Sequence, residues 1–191
     1  MSISLLENYI NYILKENKEF TTKLHVFDFD DTLYKSPNET QEWKENNPKS
    51  YWWDSGDSLN PYITKVDSSS LWINDIVSSA KESITDLNTL AVLCTARLDR
   101  PEIIYAVSNL LREKNLKFER MFFKPRKINI SSPQYKAETV RMLLNAYPNI
   151  KEVSFWDDKM ENLDAVANLI QNNPQRNISY FPNLPNNVQS I

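Results

Sequence analysis

Asp28, Asp30 and Asp31 arrive within four positions, directly behind the run Leu24-His25-Val26-Phe27. No other stretch limits so sharply what this chain can become. Apolar residues crowd around His25, so Leu24 to Phe27 reads as a short buried strand. Three carboxylates at a strand end repel one another and lose hydration unless a cation compensates them. Mg²⁺ is the simplest such cation, because it takes carboxylate oxygens and keeps waters that a phosphate can displace. The turn after a strand can bring Asp28 and Asp30 to one rim. Asp28 is then placed as a nucleophile and Asp30 as proton donor and acceptor, with the Thr32 hydroxyl bracing the turn. The plainer alternative is an acidic turn that merely ends a strand.

The rest of the chain supplies a frame for that stretch. Its 191 residues, 41% hydrophobic and 12% aromatic, suffice for one domain with a sizeable core. Residues 3–16 show helical spacing at Leu6, Tyr9, Ile10, Ile13 and Leu14. Residues 34–70 form a long insertion loop rich in Asn, Ser, Pro and Asp, holding Trp43, Tyr51, Trp52 and Trp53. A loop of that length tends to be functional, yet it is too short for a large lid with its own core. Beyond it, helical periodicity runs from Leu71 to Ile84, and Leu90 to Cys94 is an almost wholly apolar strand. Asp99 with Pro101, and Ser132 with Pro133, read as cap-then-proline helix starts. Phe118 to Phe123 and Glu152 to Trp156 are further strands, residues 160–171 are helical, and Asn177 to Phe181 is a short edge strand before a loose tail at 182–191. Strands alternating with helices mean right-handed crossovers, hence an α/β fold with a mostly parallel central sheet between helical layers and no large cap. Ligands in such sheets sit beyond the carboxyl ends of the strands, at the switch point.

Composition narrows the setting. The single Cys94 cannot form an internal disulfide and lies in an apolar run, which fits a structural thiol in a reducing compartment. The chain start lacks a basic region followed by an apolar stretch, and no run approaches a membrane span, so an intracellular, cytoplasmic setting is expected. A net charge of −3 argues against indiscriminate nucleic-acid binding. Residues 112–127 nevertheless carry seven basic side chains against Glu113 and Glu119. That run is either a solvated helix end or a landing strip for a polyanion.

Three more places end strands with chemistry. Thr95 and Arg97 follow Leu90 to Cys94, where a hydroxyl and a guanidinium can meet phosphate oxygens. Asp157 and Asp158 follow the strand that ends at Trp156, and again call for a cation or a helix cap. Two lysines compete to neutralise transition-state charge. Lys136 sits near a helix start, where a cation is disfavoured unless an anion lies close, so it is the better candidate. Lys124 stays as a substrate contact.

Asp28-Phe29-Asp30-Asp31-Thr32-Leu33 resembles the first motif of the haloacid dehalogenase-like (HAD) superfamily of aspartate-nucleophile phosphotransferases. The second Asp, at position 30, is what the phosphatases of that superfamily have and its dehalogenase branch lacks. Thr95-Ala96-Arg97 resembles the second motif, with Ala96 where Gly is usual, and Asp157-Asp158 resembles the last, metal-binding motif. With Trp52-Trp53 before Pro61, and Phe123-Lys124-Pro125 leading to Tyr135-Lys136, residues 24–165 are similar to the fungal-type Swiss Army Knife RNA repair-like branch. The resemblance implies a Mg²⁺-dependent phosphatase working through an aspartyl-phosphate. Asp28, Asp30, Thr95 and Lys136 would be catalytic, and Asp28, Asp30, Asp157 and Asp158 would hold the metal. Thr32, Arg97, Lys124, Trp52 and Trp53 would meet a phosphorylated substrate, an RNA or DNA end. Trp52 and Trp53 can stack bases, or the aromatics can instead pin the loop to the sheet. A small-molecule or nucleotide phosphatase and a catalytically silent binding module both remain open at this point.

Overall fold

The computed structural model describes residues 20–185; the helix expected over 3–16 and the end of the tail lie outside them. Five strands form one all-parallel sheet in the order β3-β2-β1-β4-β5. They are β1 (Lys23–Phe27), β2 (Thr89–Leu98), β3 (Arg120–Lys124), β4 (Glu152–Trp156) and β5 (Ser179–Asn183). Four long helices make the connections: α3 (Asn74–Thr85), α4 (Pro101–Glu113), α5 (Ser132–Ala146) and α6 (Met160–Gln171). Two shorter ones, α1 (Gln41–Asn46) and α2 (Pro61–Thr64), lie in the insert after β1.

The alternation of side chains along each strand sorts the helices into two layers. Leu24, Val26, Val92, Phe122 and Phe155 pack with Tyr135, Val140 and Leu143 of α5 and Val166 of α6. Phe27, Leu93, Phe123 and Trp156 pack with Val77 and Ala80 of α3 and Ile103 and Val107 of α4. The result is the expected three-layer α/β/α sandwich, and no second sheet caps it among the described residues. Cys94 is buried on the α5 side, and burial pushes its thiol up to about 12, consistent with an unreactive packing residue. No helix among the described residues is long and apolar enough to cross a membrane.

Connections through α3 and α4 carry the chain from β1 outward to β3; those through α5 and α6 carry it to the other side. The switch point therefore falls between β1 and β4. There Phe27 pairs with Trp156, and the Asp28 backbone N–H donates to the Trp156 carbonyl at 2.9 Å. The next residue of each strand, Asp28 and Asp157, is thus held at the same height on neighbouring strands.

Several local expectations shift. β2 does not stop at Cys94 but runs to Leu98, with a register slip against β3 between Thr95 and Leu98. Arg100 rather than Asp99 holds the N-cap position of α4, and Ser131 rather than Ser132 caps α5 by accepting from the Gln134 N–H. The insert at 34–70 is not a plain loop. It folds into α1, α2 and 3₁₀ turns at Trp52–Asp54, Gly56–Leu59 and Ser68–Leu71.

Candidate functional site at the switch point

Asp28 and Asp157 converge on one cation. The Lys136 ammonium lies 2.9 Å from Asp28 Oδ1 and 2.5 Å from Asp157 Oδ2, and all three side chains are at least nine-tenths buried. Lys136 reaches them from the fifth position of α5, whose amino end abuts the carboxyl ends of β1 and β4. Asp157 is fixed further through Oδ1, which accepts from the Lys159 backbone N–H at 3.0 Å and from Asn162 Nδ2 at 2.7 Å. Burial is the main reason the Asp28 carboxyl is pushed well up; the nearby Asp157 adds to it and Lys136 works against it. Burial alone would lower Lys136, but the Asp28 and Asp157 charges outweigh it and raise the ammonium above its ordinary value. Asp158 rises to about 6, by burial first and then by the charge of Asp157. Asp31 is also raised, chiefly by burial, and sits in the left-handed region at φ 55°, which Asp tolerates in tight turns.

Among the described residues, Asp28, Asp157 and Asp158 each offer a carboxylate oxygen within 4.8 Å of the others. One ammonium is shared between two buried carboxylates, and a third acid stands beside them. An all-oxygen set that remains short of positive charge suits a hard divalent cation. Asp30 belongs to a different arrangement. Its carboxylate lies outside that trio and, on the wall of the same cavity as Asp28, accepts from Arg97 Nε at 3.0 Å, from Arg97 Nη2 at 2.7 Å and from Ser36 Oγ. Arg97 in turn gives Nη1 to Ser58 Oγ at 2.7 Å and to the Trp53 carbonyl, and lies 5.6 Å from the Trp53 ring centroid. The guanidinium that the sequence assigns to phosphate is therefore committed to Asp30 and to the insert. The register slip in β2 explains how it gets there, since such irregularities re-aim side chains beside sites.

The remaining candidates divide. A cavity of about 190 Å³ is lined by Asp28, Asp30, Arg97, Lys136, Asp158 and Trp53, among others. Thr95 is fully buried within β2, with its hydroxyl accepting from the Arg97 N–H at 3.2 Å, and Ala96 rather than Thr95 reaches the cavity wall. Thr32 is fully buried with its hydroxyl unpartnered, so the turn is braced by backbone instead: the Leu33 and Tyr34 N–H groups donate to the Phe29 carbonyl. Trp52 is buried in the insert, donating from Nε1 to the Pro37 carbonyl and meeting Trp43 edge-on at 4.9 Å; it has no face left for a base. Trp53 keeps 42% of its surface exposed at the cavity rim. Lys124, at the end of β3, is half-buried and outside the cavity wall.

Asn162, Ser36 and Ser58 are the contributors that spacing did not single out. Asn162 lies five residues beyond Asp157, in the first turn of α6, and that offset was the one signal available. Ser36 and Ser58 sit in an insert whose path no periodicity dictates.

Residues 30–189 match the family described as HAD domain family 1 in Swiss Army Knife RNA repair proteins. The uncharacterized protein YMR265C of Saccharomyces cerevisiae is 29% identical over 167 residues, which cover 75% of this chain and 36% of that protein. Two solved structures share the fold. The HAD domain of effector protein Lem4 from Legionella pneumophila matches at TM-score 0.53 and 14% identity, over 88% of this chain and 89% of that one. A chain in the Pnkp1/Rnl/Hen1 RNA repair complex matches at TM-score 0.51 and 12% identity, over 90% of this chain and 45% of that one. The chain thus spans about a third of the yeast relative, a little under half of the repair-complex chain and about nine-tenths of the Lem4 domain. Sequence motif, switch-point acids and family match agree: this chain belongs to the HAD domain family 1 of Swiss Army Knife RNA repair proteins.

Proposed function

We propose that the protein is a Mg²⁺-dependent phosphomonoesterase that acts on nucleic-acid ends through a phosphorylated Asp28. The observation that carries this reading is the meeting of Asp28, Asp157 and Lys136, all buried, beside a cavity of about 190 Å³ whose wall includes Asp28 and Lys136. Asp28, Asp157 and Asp158 would hold Mg²⁺, which supplies positive charge for the phosphoryl oxygens. Asp28 attacks phosphorus in line; the bond to the leaving oxygen breaks, and that oxygen takes a proton from Asp30. Water then attacks the phosphorus and gives its proton to Asp30. The Asp28–phosphorus bond breaks, inorganic phosphate leaves and both carboxyl groups return to their starting states. Lys136 balances negative charge on Asp28 and on the equatorial oxygens, where electrostatic positioning supplies most of the catalysis. Arg97 and Ser36 hold the Asp30 carboxyl at the cavity wall.

A nucleic-acid end is favoured over a free metabolite by three features: the family's description, the partly exposed Trp53 at the rim, and the lack of a large cap among the described residues to enclose a small substrate. The test is phosphate release with and without Mg²⁺ from an aryl phosphate, from 3′- and 5′-phosphorylated RNA and DNA oligomers, and from mononucleotides. Turnover that requires Mg²⁺ and prefers an oligomer end is the expected result. Preference for mononucleotides would return the substrate to the small-molecule class, and inertness with every substrate and several metals would make the fold a binding module.

A further inference from the structure

The seven basic side chains that cluster in the sequence at 112–127 do not form one surface. Arg112 and Lys114 belong to the end of α4, Lys117 to the connection beyond it, and Arg120 opens β3. Lys124 closes β3, and Arg126 and Lys127 follow it. β3 is parallel to β1 and β4, so only the second group lies at the carboxyl ends of the strands, where Asp28 and Asp157 sit. Arg126 and Lys127 are exposed, and among the described residues Lys124, Arg126 and Lys127 form no ion pair with a carboxylate. Arg126 Nε donates to the Asp99 carbonyl at 3.1 Å, which ties this loop to the one after β2. The Lys124 carbonyl accepts from the Asp99 N–H at 2.9 Å and closes the same junction.

Beside this junction lies a second, open cavity of about 440 Å³, lined by Asp99, Pro125, Arg126, Lys127 and Ile128. It is a neighbour of the first. Ile128 lines one and Ser132 the other; Asp99 lines one and Arg97 the other. Four residues of chain reach at most about 14 Å, so the two walls are no further apart than about four stacked nucleotides. The other flank of the site carries Asp158, Glu161 and Asp164 after β4, with Lys159 among them at the wall of the first cavity. By net side-chain charge the β3 side, with Lys124, Arg126 and Lys127 against Asp99, is more attractive to a polyanion than the α6 side, with Lys159 against three carboxylates.

We infer that the groove beside Arg126 and Lys127 carries the phosphodiester backbone of a single nucleic-acid strand whose terminal phosphate enters the Asp28 cavity. The inference rests on the reading above for the strand end alone; the track itself is a binding surface and can be measured without turnover. Backbone contact of this kind is independent of base sequence and sensitive to salt. Ser132 and the partly exposed Trp53 line the first cavity, into which the terminal phosphate would pass.

The experiment is fluorescence anisotropy with a labelled twelve-nucleotide RNA bearing a terminal phosphate. The wild type, Arg126→Glu/Lys127→Glu and Arg112→Glu/Lys117→Glu are compared, each also in an Asp28→Asn background. The first pair should weaken binding at least tenfold, and an Arg126→Ala/Lys127→Ala pair should lower the slope of log Kd against log salt by about 1.4, the amount due to two contacts on a single strand. The second pair changes net charge equally at the far end of β3 and should leave both quantities unchanged. Hydrolysis of an aryl phosphate should be the same in the wild type and in both pairs. Equal losses from the two pairs, or no binding by the wild type, would overturn the track while leaving the phosphatase reading intact. Selective loss of binding in a protein that hydrolyses nothing would uphold the track and remove the phosphatase.

Discussion

Lys136 is the residue on which the site's electrostatics turn. It is 1% exposed and touches two carboxylates that are themselves buried, so removing its charge leaves both uncompensated. Lys136→Met should lower stability by about 3–5 kcal/mol in chelator, read from urea midpoints. Millimolar Mg²⁺ should restore part of that loss; an unchanged midpoint would mean the carboxylates are protonated and uncharged in the wild type. The same three acids predict that Mg²⁺ raises the wild-type melting temperature by mass action, and that Asp157→Asn abolishes most of the rise. Asp28, Asp157 and Lys136 were legible in the sequence for a physical reason. Each is a charge placed where charge is costly: two at the ends of apolar strands, one at the wrong end of a helix dipole. Asn162 and Ser36 carry no such penalty, since a neutral polar side chain is ordinary at a helix start or in a loop, and their partners came to light only in three dimensions.

At the scale of elements, the insert between β1 and α3 is welded to the site through Arg97. Its guanidinium joins Asp30 to Ser58 and to the Trp53 carbonyl, a planar fork that a lysine cannot reproduce. Arg97→Lys should therefore keep the fold but lower kcat by about 100-fold, the low end of what positioned acid–base catalysis contributes. The loss should be greater for an alkyl phosphate than for a nitrophenyl phosphate, whose leaving group needs no proton. Equal losses on both would detach Arg97 from the handling of that proton. Trp52 and Trp53, adjacent in sequence, should part company in experiment. Trp52→Ala empties a packed site against Trp43 and should cost about 3–5 kcal/mol of stability. Trp53→Ala should leave stability nearly unchanged and raise KM for an oligonucleotide, since a stacked base contributes about 1–3 kcal/mol. A run of aromatics in a region without periodicity cannot reveal which ring faces inward. That choice was made by the hydrogen bonds of Trp43 to Asp57 and of Trp52 to Pro37.

For the molecule as a whole, topology does the organising. Buried parallel strands announced themselves as apolar runs, and the alternation with helices fixed the layers; strand order and the slip in β2 did not follow from pattern alone. One titratable group bears on the sandwich away from the metal acids. His25 is lowered from its ordinary value mainly by burial, against the raising effect of Glu152, while Nδ1 contacts Ser83 Oγ at 2.8 Å. Lys23 lowers it and Asp86 raises it by smaller amounts. A histidine whose folded value is depressed contributes stability above its unfolded value near 6.5, and that contribution is lost as pH falls through the folded value. Asp28, Asp31 and Asp158 have raised values and act in the opposite sense. The readout is therefore a difference: between pH 7 and pH 5 the wild type should lose stability relative to His25→Gln. Parallel curves would show that His25 titrates alike in the folded and unfolded chain.

The central claim concerns the bond formed at Asp28, and a borohydride quench during turnover reads it directly. An acyl phosphate is reduced to the alcohol, so peptide mass spectrometry should find homoserine at position 28, dependent on Mg²⁺ and on a phosphorylated substrate. Phosphate release at full rate from Asp28→Asn, or turnover with position 28 always recovered as unmodified Asp, would contradict it.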